Sequence, residues 1–364
     1  MKTVWDQTRI KGMELKNRFV RAALWMKMAE ADGHINEDLI SVYEDLAKGD
    51  VGLILTGYAT ISKDEQPNPR MMGIYDDSFI EEYKEMTDRV HKHGSKIALQ
   101  IVLGGSQNHH PDRDAMKILG PSAVENRVTK VRPKEASIEE LGMVADMFAD
   151  AALRVKKAGF DAVQLHGAHG YFLSQFLTPY YNRRKDQYGG SLENRSRILV
   201  QVVEAVRKAV GQDYPVMMKV NYDDFMDPGQ GLELEESIEV FKILDRAGVD
   251  VFEVSAVNES SGKGLAPAFT RCLKKEKQSY FRDATKQIAD AVDAKVILMG
   301  GNRNIEVMES VLNESSIEYV SMARPLLSEP NLIKIWEDDP VYSPKCVACN
   351  KCWETEPNSC IFNR

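Results

Sequence analysis

The 364-residue chain predicts an α/β fold, a (β/α)8 TIM barrel, followed by a short C-terminal cysteine-rich tail. Strand-like and helix-like stretches alternate along the chain, which is typical of a parallel α/β architecture. Eight strand–helix pairs can be counted, and this number favours a closed barrel over an open sheet. Polar side chains also gather where several of these strands end. We therefore assign residues 1–340 to the barrel and residues 341–364 to the tail.

Short apolar runs predict the strands and amphipathic stretches predict the helices between them. The strands are expected at 18–24, 51–56, 96–102, 160–165, 215–220, 249–255, 295–299 and 317–321. The helices are expected at 36–48, 77–93, 137–158, 191–210, 233–246, 279–291, 304–313 and 329–337. Ser137 and Glu140 have the spacing of a capping box at the start of the third helix. A long irregular stretch at 104–136 predicts a lid over the barrel mouth.

The segment from His166 to Arg197 follows the fourth predicted strand and carries the densest chemistry. A stretch of six residues in it contains His166, His169 and Tyr171. Barrels of this type keep their catalytic groups at the carboxyl ends of the strands. A single histidine there more often caps the local backbone, but two histidines and a tyrosine around a glycine turn favour a catalytic site.

The loops after strands seven and eight predict a phosphate-binding site. Gly300-Gly301-Asn302 follows strand seven, and Ala323-Arg324-Pro325 follows strand eight. Glycines let backbone N–H groups approach an anion, and an arginine supplies a fixed positive charge. Because both loops carry suitable residues, a phosphorylated cofactor is favoured over a simple chain turn.

Gln100 and Lys219 end the third and fifth strands. They are suited to hold the polar edge of a heterocycle, or to satisfy each other or neighbouring carboxylates. The residues themselves leave both interpretations open.

Together these motifs resemble the old yellow enzyme (NADH:flavin oxidoreductase) family, including the barrel domain of 2,4-dienoyl-CoA reductase. Further matching stretches are Asn17-Arg18-Phe19-Val20, Gly52-Leu53-Ile54-Leu55-Thr56-Gly57, Gly120-Pro121-Ser122-Ala123 and Ala158-Gly159-Phe160-Asp161. The resemblance implies an ene-reductase with non-covalent FMN. In such enzymes NAD(P)H reduces the flavin, which passes a hydride to the activated C=C bond of an α,β-unsaturated carbonyl or similar electrophile.

The resemblance also implies roles for individual residues. His166 and His169 match the family's pair of donors to the substrate oxygen, and Tyr171 matches its proton donor. The implied cofactor-binding residues are Ala23, Leu24, Gly57, Gln100, Lys219, Gly300, Gly301, Asn302, Ala323 and Arg324.

Two positions depart from the family pattern. Many members have Pro-Met-Thr or Pro-Met-Cys where this chain has Ala23-Leu24-Trp25, so the hydroxyl or thiol beside flavin O4 is missing and Trp25 narrows the cleft. Lys219 stands where the family usually has arginine, which keeps the charge and loses the bidentate fork. We expect the remaining pocket walls to come from the loops at 25–30, 58–72, 104–136 and 257–278.

The tail contains four cysteines within fifteen residues: Cys346, Cys349, Cys352 and Cys360. Three interpretations stay open, namely a [4Fe–4S] cluster, a tetrahedral Zn²⁺ site, or reduced thiols without metal. In the 2,4-dienoyl-CoA reductase branch a comparable cluster links FMN to a following domain, with wider spacing. Since this chain ends four residues past Cys360, we expect any such domain on a separate electron-transfer partner. Cys272 is expected to be an ordinary buried thiol.

The composition bounds the partners and the location. A net charge of −8 argues against nucleic acid. No apolar run is long enough for a membrane span, and the first residues lack the core of a signal peptide, so a cytoplasmic protein without membrane contact is expected. Family resemblance implies a homo-oligomer. Two other functions stay open: an electron-transfer subunit that uses an Fe–S tail with a partner reductase, and a non-redox phosphate-binding barrel lyase or isomerase.

Overall fold

The computed structural model describes residues 1–262 and 267–363 and contains a closed barrel of eight parallel strands. Each strand pairs with the next along the chain, and the last pairs with the first, so the predicted (β/α)8 barrel is confirmed. The strands are β1 (Phe19–Arg21), β2 (Leu53–Thr60), β3 (Lys96–Val102), β4 (Ala162–Gly167), β5 (Val216–Asn221), β6 (Val251–Ser255), β7 (Lys295–Leu298) and β8 (Tyr319–Met322).

A helix follows each strand and covers the outside of the barrel. These helices are α1 (Glu37–Lys48), α2 (Ile80–His91), α3 (Ile138–Lys157), α4 (Leu192–Val210), α5 (Leu234–Ala247), α6 (Arg282–Ala289), α7 (Ile305–Asn313) and α8 (Leu332–Asp338). The capping box at the start of α3 is present, with the Ser137 hydroxyl accepting from the Glu140 N–H at 3.1 Å. Apolar residues of α3 such as Leu141 and Phe148 are fully buried, as their helical spacing predicts.

The structure also contains elements that the sequence patterns did not predict. An antiparallel hairpin, Thr8–Ile10 with Met13–Leu15, packs its apolar side chains against the inner strand residues at the amino end of the barrel. A short helix at Phe172–Leu177 lies inside the His166–Arg197 segment. All six of its residues are buried, so the helix lacks the alternation of polar and apolar residues by which it could have been predicted. A second short helix, Arg324–Ser328, precedes α8.

β2 extends further than expected, to Thr60, through Gly57. The close approach of the β1 loop explains this glycine, because a Cβ there would lie 2.8 Å from the Leu24 carbonyl oxygen. The strand pairing shifts register between Leu55 and Tyr58 at the same place. This irregularity brings the end of β2 beside the loop that follows β1.

After α8 the described part of the tail forms short 3₁₀ turns, at Lys351–Glu354 and Ile361–Asn363, and folds back onto the barrel. The Asn358 amide N–H₂ donates to the Trp25 carbonyl at 2.5 Å, and the Asn358 backbone N–H donates to the Met26 carbonyl at 3.0 Å. The tail therefore contacts the loop after β1. The division into a barrel and a tail at residue 340 stays a prediction. Within the described residues, no helix combines the length and apolarity that crossing a bilayer requires.

The Trp336 side chain anchors α8 and gives a first testable prediction. Its ring is fully buried, lies 5.8 Å from the Phe19 ring, and donates its N–H to the Tyr342 carbonyl at 2.9 Å. We expect Trp336→Ala to lower the free energy of unfolding by about 3–5 kcal/mol, because a large cavity is left at the junction of barrel and helix. Met143→Ala, at a half-exposed position of α3, is the control and should change it by less than about 0.5 kcal/mol. Urea unfolding measures both. A loss for Trp336→Ala no larger than the control would contradict this packing.

Candidate active site

A cavity of about 470 Å³ opens at the carboxyl ends of the strands, where the sequence predicts the active site. It brings together His166, His169 and Tyr171. Gln100, Lys219, Ala23 and Leu24 also line it. These seven predicted residues come from the ends of β1, β3, β4 and β5, or from the loops directly after them.

The two histidines lie side by side as neutral rings. Their rings lie 5.1 Å apart at 86°. Burial is the main cause that lowers the pKa of both imidazoles well below 6.5, and the Lys219 charge adds to it. The His166 Nδ1 atom accepts from the Ala168 backbone N–H at 3.4 Å, which leaves the proton on Nε2. His169 Nε2 lies 2.6 Å from the Ser255 hydroxyl, and the residue adopts a left-handed backbone with φ of 60°.

Tyr171 lies beside His166, with ring centroids 4.7 Å apart, and is only 8% exposed. Burial raises the pKa of its phenol, and the Glu259 carboxylate raises it further. The phenol is therefore protonated at neutral pH. The site thus combines a neutral imidazole pair with a phenolic proton at one side of the cavity.

Gln100 and Lys219 line the cavity and also join a buried polar network with neighbouring side chains, while their contact with a heterocycle stays a prediction. Strand register places Lys219 opposite Glu253 and Gln100 opposite Gln164. Lys219 Nζ lies 3.1 Å from a Glu253 oxygen, and the Gln100 amide donates to Gln164 at 2.7 Å. Gln164 and Ser321 also donate to the fully buried Glu253 carboxylate, at 3.0 and 2.8 Å. The pairing compensates the buried charges and fixes Lys219 and Gln100 at the cavity floor.

A second, smaller cavity of about 60 Å³ lies at the ends of β7 and β8, as the phosphate motif predicts. Gly300, Gly301, Asn302, Ala323 and Arg324 all line it. A Cβ at Gly300 would lie 2.5 Å from the Tyr280 ring, and both glycines have positive φ, so only glycine fits this turn. The Asn302 amide donates to the Leu298 and Ser321 carbonyls, which ties the two loops together.

Gly57 is the one predicted cofactor residue that lines neither of these two cavities in the described structure. Its N–H is not free to donate to a ligand, because it donates to the Tyr43 hydroxyl at 2.8 Å. Gly57 lies behind Trp25 and supports the loop after β1 instead. Cys272 is buried, as expected, and lines the smaller cavity.

The residues present fit FMN. Pro267 lines both cavities, so the two adjoin. The glycine turn and Arg324 suit a phosphate, while the larger cavity suits a heteroaromatic ring system. Two residues that line this larger cavity each have a buried polar atom, Trp25 Nε1 and Asn358 Oδ1, without a hydrogen-bond partner among the described residues. Such unpaired atoms are costly unless a ligand satisfies them.

The cavity walls come from the loops that the sequence indicates. Lys27, Tyr58, His109 and Glu259 each line it, one from each of the four expected loops. Residues 263–266 of the last loop lie outside the described residues. The sequence indicated these loops but not these four side chains. Loops lack the regular repeat of helices and strands, so the direction of a side chain in a loop cannot be read from the sequence.

The tail adds two wall residues that the sequence analysis missed, Trp353 and Asn358. Trp353 directly follows Cys352, and an aromatic residue beside the four cysteines was the feature of the sequence that could have indicated it. Lys27 Nζ donates to the Trp353 carbonyl at 2.9 Å and holds the tail against the mouth of the barrel. The tail therefore belongs to the site and not only to the surface of the barrel.

The four tail cysteines line one small pocket together with Arg324 and Asn350. Burial raises the pKa of Cys346 and of Cys352. Within the ranges 1–262 and 267–363, no three His, Cys, Asp or Glu side chains converge closely enough to hold a metal ion. Since Zn–S bonds are only about 2.3 Å long, a zinc site needs such convergence. Arg324 lines both this pocket and the smaller cavity at the ends of β7 and β8, and it donates to Asn350 at 2.6 Å.

Glu65 lies in the loop after β2 and gives a prediction on pH. It is 2% exposed, and burial raises the pKa of its carboxyl to about 8. The native state therefore keeps a proton that the unfolded chain releases above its ordinary pKa of about 4.3. Stability should fall as the pH rises between these two values and level off above pH 8. Glu65→Gln is expected to remove this fall and to be more stable than the parent protein at pH 8, which thermal unfolding at several pH values measures. An unchanged pH dependence in the variant would show that Glu65 is ionised in the native state.

Comparison with known proteins is consistent with this geometry. Residues 7–339 match the model of the NADH:flavin oxidoreductase / NADH oxidase family. The chain is 32% identical over 350 residues to an NADH oxidase of Thermoanaerobacter brockii, covering 95% of this chain and 52% of that protein. It is also 32% identical over 372 residues to a cinnamate reductase of Clostridium sporogenes, covering 96% of this chain and 55% of that protein. The chain thus spans about half the length of these curated relatives.

A solved structure of 2-naphthoyl-CoA reductase in complex with 2-naphthoyl-CoA superposes on this chain with a TM-score of 0.87. Sequence identity is 24%, and the match covers 96% of this chain and 54% of that one. At this identity the likeness concerns the fold, and it includes nearly the whole chain.

Proposed function

Because this chain belongs to the NADH:flavin oxidoreductase / NADH oxidase family, we propose that it is an FMN-dependent NAD(P)H oxidoreductase of the ene-reductase type. Its substrate is the activated C=C bond of an α,β-unsaturated carbonyl or a similar electrophile. The observation that carries this proposal is the neutral His166–His169 pair beside the protonated Tyr171 phenol at the barrel mouth.

In this proposal the side chains divide the work on the substrate. His166 presents its Nε2–H to the substrate's carbonyl oxygen and stabilises the negative charge that grows there. His169 is the second hydrogen-bond donor to the same carbonyl oxygen. Tyr171 gives its phenolic proton to the α-carbon. Since both imidazoles are neutral, neither competes with Tyr171 as the acid.

Family membership supports FMN as the cofactor, and when bound it supplies the hydride that reaches the β-carbon. We assign its phosphate to the Gly300–Gly301 turn and Arg324, and its ring edge to Gln100 and Lys219. Lys219 gives a single point charge, whose position is set by Glu253 at 3.1 Å. The unpaired Trp25 Nε1 supplies an N–H donor in a loop that lacks the family's hydroxyl or thiol.

This proposal is tested by loading the protein with FMN under anaerobic conditions and following the flavin absorption. NADH or NADPH should bleach the band, and cyclohex-2-enone should restore it. A flavin that is bleached by either nucleotide but stays reduced with the enone would overturn the ene-reductase assignment. The comparison of the two nucleotides also decides between NADH and NADPH.

The cysteine tail supports a second element of the proposal, a [4Fe–4S] cluster that receives electrons from a partner. Four thiols share one pocket, and both Arg324 and Cys346 line this pocket as well as the phosphate cavity. Bound there, a cluster would add a one-electron route to the flavin site.

Family membership counts against the alternative of a non-redox lyase or isomerase. The homo-oligomer and the cytoplasmic location stay predictions.

Removal of one tail thiol tests the cluster directly. We expect Cys352→Ser to lose the iron and the acid-labile sulfide while FMN stays bound, because Cys352 lines the tail pocket and not the phosphate cavity. Cys272→Ser is the matched control, since this thiol does not line the pocket that the four tail cysteines share, and it should leave the iron content unchanged. Zinc without sulfide in the parent protein, or no metal at all after anaerobic purification, would contradict the cluster.

A further inference from the structure

Two polar side chains besides the histidines face the Tyr171 phenol. Tyr58 lies near the end of β2, and its ring centroid is 5.7 Å from that of Tyr171 at an angle of 56°. Asn68 follows β2 in the next loop and is 4% exposed. All three side chains line the same cavity. Neither Tyr58 nor Asn68 has a place in the mechanism described above.

The charges around the phenol oppose its ionisation. Glu259 is the carboxylate that faces it, and its negative charge raises the pKa of both Tyr171 and Tyr58. His109, which lies 3.2 Å from Glu259, compensates this charge only when it is protonated. His166 packs on the other side as a neutral ring. The nearby Tyr58 and Asn68 side chains, which line the same cavity, act in the opposite direction and lower the pKa of the Tyr171 phenol.

A phenolate is therefore hard to form here unless its oxygen receives hydrogen bonds. Once Tyr171 has given up its proton, an unpaired negative oxygen would remain in a buried site near a carboxylate. Tyr58 keeps its own proton, because burial and its neighbours raise its pKa well above 10. It therefore remains a donor throughout the working pH range.

We propose that Tyr58 and Asn68 are positioning residues for proton transfer by Tyr171, whose phenolic oxygen both of them hydrogen-bond. With two donors on that oxygen, the Tyr171 O–H points away from them, towards the substrate. In the step, the O–H bond of Tyr171 breaks and a C–H bond forms at the α-carbon, while the reduced flavin supplies the hydride. The phenolate that is left accepts from Tyr58 and Asn68 until water in the open cavity returns the proton.

This inference rests on the proposed role of Tyr171, and the experiment separates the two. Tyr58→Phe and Asn68→Leu remove one donor each with little change of shape. We expect each to slow the reoxidation of the reduced enzyme by cyclohex-2-enone by about 10- to 100-fold, because a hydrogen bond to a charged group is lost. Reduction of the flavin by NAD(P)H and the Kd of the enone should not change. The solvent isotope effect on reoxidation should rise, since proton transfer becomes slower.

A double-variant comparison decides the outcome. In a Tyr171→Phe background, Tyr58→Phe should have no further effect, because the oxygen that it serves is gone. Tyr75→Phe, on the outside of the barrel, controls for the loss of a phenol and should leave the reoxidation rate unchanged. If Tyr171→Phe slows reoxidation but Tyr58→Phe and Asn68→Leu do not, this inference is wrong and the role of Tyr171 stands. If Tyr171→Phe itself has no effect, the proposed role of Tyr171 fails.

Discussion

Replacing His166 with alanine is expected to slow the reoxidation of the reduced, FMN-loaded enzyme by an enone by about 100- to 1000-fold, the usual cost of losing an oxyanion donor. The reason is geometric. The Ala168 N–H holds Nδ1 of His166, so Nε2 carries the proton into the cavity. Without this donor, the charge that grows on the substrate oxygen must be borne by His169 and water. Stopped-flow flavin absorption measures the rate.

Two controls make the His166 prediction specific. Reoxidation by molecular oxygen should be nearly unchanged in His166→Ala, because no carbonyl oxygen is involved. His93→Ala, two residues after α2 and not among the residues that line the cavity, should leave both rates unchanged. An enone rate within threefold of the parent protein would show that His166 does not stabilise the substrate oxygen.

Replacing Arg324 with glutamine is expected to weaken FMN binding by about 10- to 100-fold, because a charge-assisted hydrogen bond to the phosphate is lost. The glycine turn at Gly300 and Gly301 still offers backbone N–H groups, so binding should not vanish. Arg324→Lys keeps the positive charge but loses the planar fork, so its affinity for FMN should lie between those of the parent protein and Arg324→Gln. Fluorescence titration of the flavin-free protein measures the Kd.

Riboflavin separates a phosphate contact from a general disturbance of the tail, since Arg324 also donates to Asn350 and to the Phe269 carbonyl. The parent protein should bind FMN much more tightly than riboflavin, and Arg324→Gln should reduce this preference. An equal loss for both flavins would mean that Arg324 supports the fold of the site but does not contact the phosphate.

The barrel and most of the site residues could be predicted from the sequence because both leave local signals. Buried parallel strands are short apolar runs, and catalytic groups of such barrels lie where these runs end. For this reason His166, Lys219 and Arg324 were found by position alone. The turn after β7 was visible as Gly300-Gly301, and the nearby Tyr280 ring explains why both positions need glycine.

What the sequence did not reveal depends on pairing between distant segments. Glu253 sits inside a strand of apolar residues, and only the register of β5 and β6 shows that it faces Lys219. Trp353 and Asn358 reach the cavity because the tail folds back over the loop after β1, a contact that spans more than three hundred residues. Gly57 was assigned to the cofactor by resemblance. In the structure it packs closely against Leu24, and the loop after β1 needs a glycine at this position for that reason.

The central claim is that hydride reaches the β-carbon and that Tyr171 protonates the α-carbon of an activated alkene. It is tested most directly by turning over cyclohex-2-enone with 4-deuterated NADH or NADPH in water, and with unlabelled cofactor in D₂O, and locating deuterium in the product by NMR. The account predicts label at the β-carbon in the first experiment and at the α-carbon in the second. Consumption of NAD(P)H with hydrogen peroxide as the product and no saturated ketone would contradict it.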